Sequence, residues 1–316
     1  MKIIVTGGNG YLGAKISDNL ADQGHQVIPI CRNYIKKNNI WHNKMYSILD
    51  GDITDPNTII NITNLKPEVI IHTISLDHNQ SENTPEIINK INVLPTWNLI
   101  NTNNNLIKFI YISTTQVYGQ VATSTLINEK STVCTTNNYA LTHYLCENIL
   151  NHFNRNSKCD IISIRLSNSY GAPVFIDNNC WWLIVNDLCK NAFLNKEIRI
   201  LSDGSPMRDF IHVNDVCNAI TLLIKKEKNL ENIYNLSSGE TLSIIEIAKI
   251  IQKKYFNKYK ILIPIYNSNG LIDYDIKYQK KYIIDNNKFK NIGFKTEIDI
   301  ETGIGMLFTY FENNKF

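Results

Sequence analysis

Cysteine is scarce in this chain: seven residues in 316, odd in number and widely spaced at 31, 134, 146, 159, 180, 189 and 217. No Cys-x-x-Cys occurs, which argues against a disulfide framework and against a metal site of the zinc type. Also lacking is a surplus of either charge, since 32 Lys and Arg stand against 29 Asp and Glu and the net +3 is scattered. Nothing here favours nucleic acid or an anionic membrane as a partner, so any bound anion is expected to be small. No run approaches the ~18 apolar residues of a membrane span. The opening Met1-Lys2-Ile3-Ile4-Val5-Thr6 turns glycine-rich at once, which leaves no room for a secretory leader and makes the cytosol the expected compartment. Eight prolines and 14 glycines argue against a fibre or a disordered chain, and 43% hydrophobic with 19% charged residues is enough for a sizeable core. Asparagine, at roughly one residue in seven, reads as a genomic composition bias on the surface.

What is present is an alternation. Short apolar runs at Ile3–Thr6, Gln26–Cys31, Pro67–Ile74, Ile107–Ser113 and Ile161–Leu166 are separated by amphipathic stretches at Lys15–Gln23, Glu86–Asn101 and Tyr139–His152. Strand and helix in turn predict a parallel sheet covered on both faces. Val69-Ile70-Ile71 and Phe109-Ile110-Tyr111-Ile112 are apolar on consecutive residues, as doubly buried strands must be. Farther on, Trp181–Leu194 and Ser243–Lys254 read as helices and Asp285–Gly293 as a short helical segment. No internal repeat and no long linker divides the chain.

Directly after the first strand stands Thr6-Gly7-Gly8-Asn9-Gly10-Tyr11-Leu12-Gly13. Glycines at this spacing permit a tight turn, let backbone N–H groups approach a pyrophosphate and let the next helix pack on the strand. A strand before the motif and a helix after it are the context that gives it meaning. The second strand ends in Cys31-Arg32-Asn33, where a carboxylate would accept from an adenosine 2′-hydroxyl; Arg32 instead suits a 2′-phosphate, which favours NADP(H) slightly over NAD(H). Gly51-Asp52-Ile53 is placed to meet the adenine, although Asp52 could equally cap a turn.

Ile112-Ser113-Thr114-Thr115-Gln116-Val117-Tyr118-Gly119, followed by Tyr139-Ala140-Leu141-Thr142-His143, resembles the active-site pair of the extended short-chain dehydrogenase/reductases, the nucleotide-sugar epimerase and dehydratase family. The resemblance continues through Arg165-Leu166-Ser167-Asn168, Arg208-Asp209-Phe210-Ile211-His212-Val213-Asn214-Asp215 and Tyr234-Asn235-Leu236-Ser237-Ser238-Gly239. It implies an α/β fold, a Rossmann-type doubly wound parallel sheet with a smaller C-terminal substrate-binding lobe. Residues 1–167, with 208–235 returning to them, would bind NAD(P)(H); 168–207 and 236–316 would hold the sugar nucleotide. It further implies cofactor contacts from Gly7, Asn9, Gly10, Tyr11, Leu12, Gly13, Arg32, Asp52, Ile53, Thr73, Tyr139 and His143, and substrate contacts from Asp77, His78, Thr115, Asn168 and Arg208. Thr114, Tyr139 and His143 would be catalytic, and a homodimer is implied. Asp77 and His78 could instead end a strand, and Arg208 could serve a structural salt bridge; Trp181-Trp182 could stack on a base, but the core is the expectation.

The chemistry fits those residue types, since moving a hydride between a carbinol and a nicotinamide also moves a proton at the carbinol oxygen, the work of a tuned phenol. The family pattern is Tyr-x-x-x-Lys, with the cation stabilising the phenolate and bonding the nicotinamide ribose. His143 replaces that lysine here. A unit charge at ~5 Å would be worth roughly 3 kcal/mol to the phenolate, but an imidazole is largely neutral at pH 7 unless its partner raises it. Thr115-Gln116 stands where the family's 4,6-dehydratases carry Asp-Glu, so dehydration is not expected. The expected function is hydride transfer at the sugar C4, as dehydrogenase, 4-ketoreductase or epimerase, in surface-polysaccharide precursor synthesis. The alternative is a catalytically weak or inactive cofactor-binding module on the same fold.

Overall fold

The alternation of apolar and amphipathic segments folds as strand and helix in turn. The structure, a computed structural model, describes residues 1–35, 38–82, 84–103, 105–119, 126–155, 157–227, 230–267, 270–271, 281–314 and 316. Chain order begins β1 (Lys2–Thr6), α1 (Tyr11–Asp22), β2 (Gln26–Cys31), α2 (Asn39–Lys44), β3 (Leu49–Asp50), α3 (Pro56–Asn64) and β4 (Val69–His72). It continues through α4 (Pro85–Ile88), α5 (Leu94–Thr102), β5 (Lys108–Thr114), β6 (Leu126–Ile127), α6 (Asn138–Asn154) and β7 (Asp160–Leu166). The remainder is β8 (Asn168–Tyr170), α7 (Ile184–Asn195), β9 (Ile198–Arg199), β10 (Met207–His212), α8 (Val213–Lys225), β11 (Ile233–Leu236), β12 (Thr241–Ser243), α9 (Ile244–Tyr259), β13 (Ile265–Asn267), β14 (Gly270–Leu271), β15 (Ile283–Ile284), α10 (Asn287–Asn291) and α11 (Ile300–Asn313).

Seven strands form one parallel sheet in the order β11-β7-β5-β4-β1-β2-β3. Chain order reverses between β1 and β4, so the loops leaving these strands diverge and open a crevice at the carboxyl edge. The period of two decides the faces. Ile3 and Val5 of β1 pack with Ala14, Ile16 and Leu20 of α1 and Val216 and Ile220 of α8. Ile4 turns the other way, to Ile59 and Ile62 of α3, Leu99 of α5 and Leu150 of α6. A second cluster, built from α7, α9 and α11 with Tyr170 of β8 and Phe210 of β10, covers the small sheet β12-β10-β8.

Several boundaries differ from those the sequence predicts. The first helix starts at Tyr11 rather than Lys15, because the glycine turn runs straight into it; Gly13 weakens the helical pattern but is required there, since a Cβ would lie 2.1 Å from the Gly7 carbonyl oxygen. The helix expected over 86–101 is broken into α4, a π turn over Asn89–Val93, and α5. Pro95 in the first turn of α5 has no N–H to give the preceding turn, which releases the regular ladder. The buried Asn92 within that turn accepts from Leu76 N at 2.8 Å and donates to Thr142 Oγ1 at 3.0 Å, tying the loop after β4 to α6. The helix expected from Trp181 starts at Ile184, and the segment 285–293 is helical only over Asn287–Asn291.

Candidate active site

The glycine turn forms a cradle with no room for side chains on its inner side. Gly10 N donates to Gly7 O at 2.8 Å, and Gly7 sits at φ 68° with a would-be Cβ 2.9 Å from Thr73 Oγ1. Gly10 caps α1 with no side-chain bond, and the first turn of α1 holds no acidic residue, so its N–H groups and positive end remain available. Residues of this kind fit a pyrophosphate. Thr73 N donates to Thr6 Oγ1 at 3.1 Å and Thr73 Oγ1 to Thr6 O at 2.6 Å, pinning the ends of β1 and β4 together at the crevice. Asn9 donates to Arg32 O at 3.4 Å, and the Tyr11 hydroxyl donates to Gly171 O at 3.1 Å.

Arg32 is not without a carboxylate, contrary to the reading of β2 alone. Asp52, from the loop after β3, lies 3.6 Å from its guanidinium, and both groups stay open to water. Asp52 also accepts from Thr54 N at 2.8 Å. That backbone bond, more than the guanidinium, holds its carboxyl below the usual range. The local charge at this end of the cleft is therefore close to balanced.

All of the residues picked out from the sequence line one cleft of about 1020 Å³, from Gly7, Asn9, Gly10, Tyr11, Leu12 and Gly13 at one end, past Arg32, Asp52, Ile53 and Thr73, to Thr114, Thr115, Tyr139, His143, Asn168 and Arg208. Thr114 ends β5, and Tyr139 stands in the first turn of α6, whose cap is Asn137 accepting from Ala140 N at 2.8 Å. Burial pushes the Tyr139 phenol up to about 12, opposed by the nearby Thr114 hydroxyl and reinforced by the Asp77 carboxylate.

His143, one turn along α6, is buried and stands edge-on to Tyr139, ring centroids 4.5 Å apart. Its Nδ1 lies 2.8 Å from the Tyr111 hydroxyl and its Nε2 3.2 Å from Ser75 Oγ. Burial, with His72 adding to it, brings the imidazole down to about 3. Burial thus works against a cationic ring, and both ring nitrogens are engaged, by the Tyr111 and Ser75 hydroxyls.

At the far end of the cleft, Asn168 donates to Asp209 O at 2.9 Å, and the Asp209 carboxylate accepts from Ser167 Oγ, Ser238 N, Ser238 Oγ and Gly239 N at 2.6 to 3.0 Å. Arg208 projects into the cleft and donates to the carbonyl of Met207 at 2.8 Å. Asp77 accepts from Gln80 N at 2.8 Å and, like His78, lines the cleft. Trp181 packs on Tyr310, Phe311 and Phe316 as a core residue should. Trp182 does not: it is 49% exposed and lines the cleft, because α7 begins only at Ile184, beyond it. Lys90 and Asn179 also line the cleft, and neither stands out in the sequence. Lys90 belongs to the π turn, which no helical periodicity announces.

The NAD dependent epimerase/dehydratase family matches residues 3–237. The chain belongs to this family. Within it, the chain is 30% identical over 281 residues to a UDP-glucose 4-epimerase of Mycoplasma genitalium, covering 81% of this chain and 82% of that one. It is 28% identical over 321 residues, 99% of each, to a putative UDP-glucose 4-epimerase of Methanocaldococcus jannaschii. A dTDP-D-glucose 4,6-dehydratase of Dictyostelium discoideum is 24% identical over 362 residues, 99% of this chain and 82% of that one. Epimerases and dehydratases thus both stand among the relatives. The fold is shared with the UDP-glucose 4-epimerase of Thermotoga maritima, at TM-score 0.84, 22% identity and full coverage of both chains. Among the described residues no helix is long and apolar enough to cross a membrane.

Proposed function

We propose that this chain is a nucleotide-sugar oxidoreductase that moves a hydride at the sugar C4, as epimerase, 4-ketoreductase or dehydrogenase, with NAD(H) as its cofactor. The observation that carries this reading is that Tyr139 and Thr114 line the same cleft as the glycine cradle, Asn168 and Arg208. When bound, the nicotinamide takes up or returns the hydride. Tyr139 would move the proton: as phenolate, its oxygen would receive the proton of the sugar hydroxyl as carbinol becomes ketone and so become phenol, and in the reverse direction the phenol would return that proton to the carbinol oxygen. Thr114 holds the same sugar hydroxyl, and Arg208 meets the diphosphate with a planar fork. Trp182 offers a flat face for the base. Two relatives named as UDP-glucose 4-epimerases support a UDP-hexose as the first substrate to try. By the family resemblance the product enters surface-polysaccharide synthesis in the cytosol.

A homodimer is part of this reading. Leu94 and Trp97 on α5 and Leu141 and Leu145 on α6 are 51%, 47%, 42% and 40% exposed on two neighbouring helices, an apolar strip suited to self-association. Sedimentation as a monomer at micromolar concentration would overturn that part.

One feature favours a second reading, a weakly active or inactive cofactor-binding module: burial pushes the Tyr139 phenol up to about 12 and brings the adjacent His143 imidazole down to about 3. Incubation with UDP-glucose or UDP-galactose and NAD, followed by product NMR, separates the two. Turnover that Tyr139→Phe reduces at least a thousandfold, with sugar-nucleotide affinity kept within a few-fold, is expected. Retention of more than a thousandth of the rate sinks the assignment of Tyr139.

A further inference from the structure

The bonds around His143 can be counted to the last hydrogen. Ser75 Oγ carries one hydrogen, and it is given to Leu76 O at 2.7 Å. The contact between Ser75 Oγ and His143 Nε2 therefore takes its hydrogen from the ring, so Nε2 is protonated. A neutral ring has one N–H, so Nδ1 is the acceptor and the Tyr111 hydroxyl, 2.8 Å away, is its donor. The chain of donation runs Tyr111 to His143 to Ser75 to Leu76, and one lone pair of Ser75 Oγ is left over.

That lone pair belongs to a half-buried side chain on the cleft wall. Ser75 follows β4 and stands in sequence between Thr73, whose hydroxyl is spent on Thr6 O, and Asp77. Thr73 and Ile74 lie against Gly7 of the glycine cradle, and Ser75 meets His143, which stands edge-on to Tyr139. A dinucleotide held with its pyrophosphate over the cradle and its reacting ring beside Tyr139 would bring the intervening ribose to this stretch of the cleft wall. A ribose hydroxyl can donate to Ser75 Oγ with no existing bond broken, whereas a phosphate or carboxylate, having only acceptor oxygens, finds no hydrogen there.

We propose that Ser75 is the hydroxyl that holds the nicotinamide-side ribose in this chain, and that His143 and Tyr111 are positioning residues that fix its orientation. The proposal rests on the cofactor reading above and goes beyond it by assigning to Ser75 a contact that no charged residue of α6 supplies. His143 thereby becomes a locked donor that presents a neighbour's oxygen to the cleft. No proton runs along this chain, because its far end is Tyr111, whose phenol burial raises well above its ordinary value.

The test has one arm that needs no cofactor. With ring-¹⁵N histidine at pH 7.5, His143 is expected as the Nε2–H tautomer in the unmutated protein, and Ser75→Ala, which removes the acceptor at Nε2, is expected to populate the Nδ1–H form. A cationic or Nδ1–H ring in the unmutated protein would overturn the positioning roles. In the second arm, NADH titration by fluorescence should show Ser75→Ala binding about tenfold more weakly, the worth of one bond to a good acceptor, with the thermal midpoint reported alongside. Unchanged affinity in Ser75→Ala, while Gly13→Val abolishes binding, overturns Ser75 alone. No NADH or NADPH binding by the unmutated protein overturns the cofactor reading and Ser75 together.

Discussion

Arg165 grips Glu147 through Nε to Oε1 at 3.0 Å and Nη2 to Oε2 at 2.7 Å, and both side chains are buried. The pair lies behind the cleft and gathers its walls. Ser113, beside Thr114, donates to Glu147 Oε1 at 2.6 Å; Arg165 Nη1 donates to the Tyr118 hydroxyl at 2.9 Å, which donates in turn to Asn235 at 2.7 Å. Strands β5, β7 and β11 and helix α6 are thereby held in one network.

Removing one partner leaves a charge stranded in the core. Glu147→Ala should cost about 3–5 kcal/mol of stability, read as the urea midpoint at constant slope. A loss below about 1 kcal/mol would show that the guanidinium finds another acceptor.

The buried histidines make the fold acid-sensitive. Burial brings His72 and His143 to about 3 and His212 to about 4. An unfolded imidazole takes its proton near pH 6.5. Between these values the unfolded chain binds more protons, so stability is complete above about pH 6.5 and drains as the pH falls. Asp209 and Asp215, raised by burial, act in the opposite sense, and the range from pH 7.5 to about 5.5 spans the proton uptake of unfolded imidazoles. Urea midpoints should fall across that range, and His143→Gln should flatten part of the fall. A midpoint that does not move would mean that the ring is already charged.

Asp52 sets the cofactor balance at Arg32. Asp52→Asn should free the guanidinium and lift the NADPH-to-NADH affinity ratio by about threefold to tenfold, a modest gain because the pair is exposed. Isothermal titration of both nucleotides reads it, and an unmoved ratio would remove Asp52 from cofactor choice.

Thr115 and Gln116 line the cleft with a hydroxyl and a carboxamide, neither of which can serve as the acid and base of an elimination. No 4-keto-6-deoxy product is expected from UDP-glucose or dTDP-glucose. Its appearance in a product assay would place the chain with its dehydratase relatives.

Most of the fold is legible in the sequence because its signals are local. Doubly apolar strands, the glycine turn and the pair Tyr139 and His143 each declare themselves within a few residues. The state of His143 is not legible, for it is decided by Ser75 and Tyr111, 68 and 32 positions away. The charge at Arg32 is hidden for a similar reason: its carboxylate arrives from the following strand's loop. Trp182 escapes because a helix start is settled by where the backbone turns, and tryptophan pairs read as core from composition alone.

The order of the sheet also has a consequence for synthesis on the ribosome. β11 occupies one edge, and its pairing with β7 through Ile233↔Ser163 to Leu236↔Leu166 is the last to become available. A nascent chain that ends before Ile233 leaves the outer backbone of β7 open and Tyr118 without its carboxamide acceptor. Such an open edge is the kind of template that other chains can pair with, so closure waits on translation through the last third of the message.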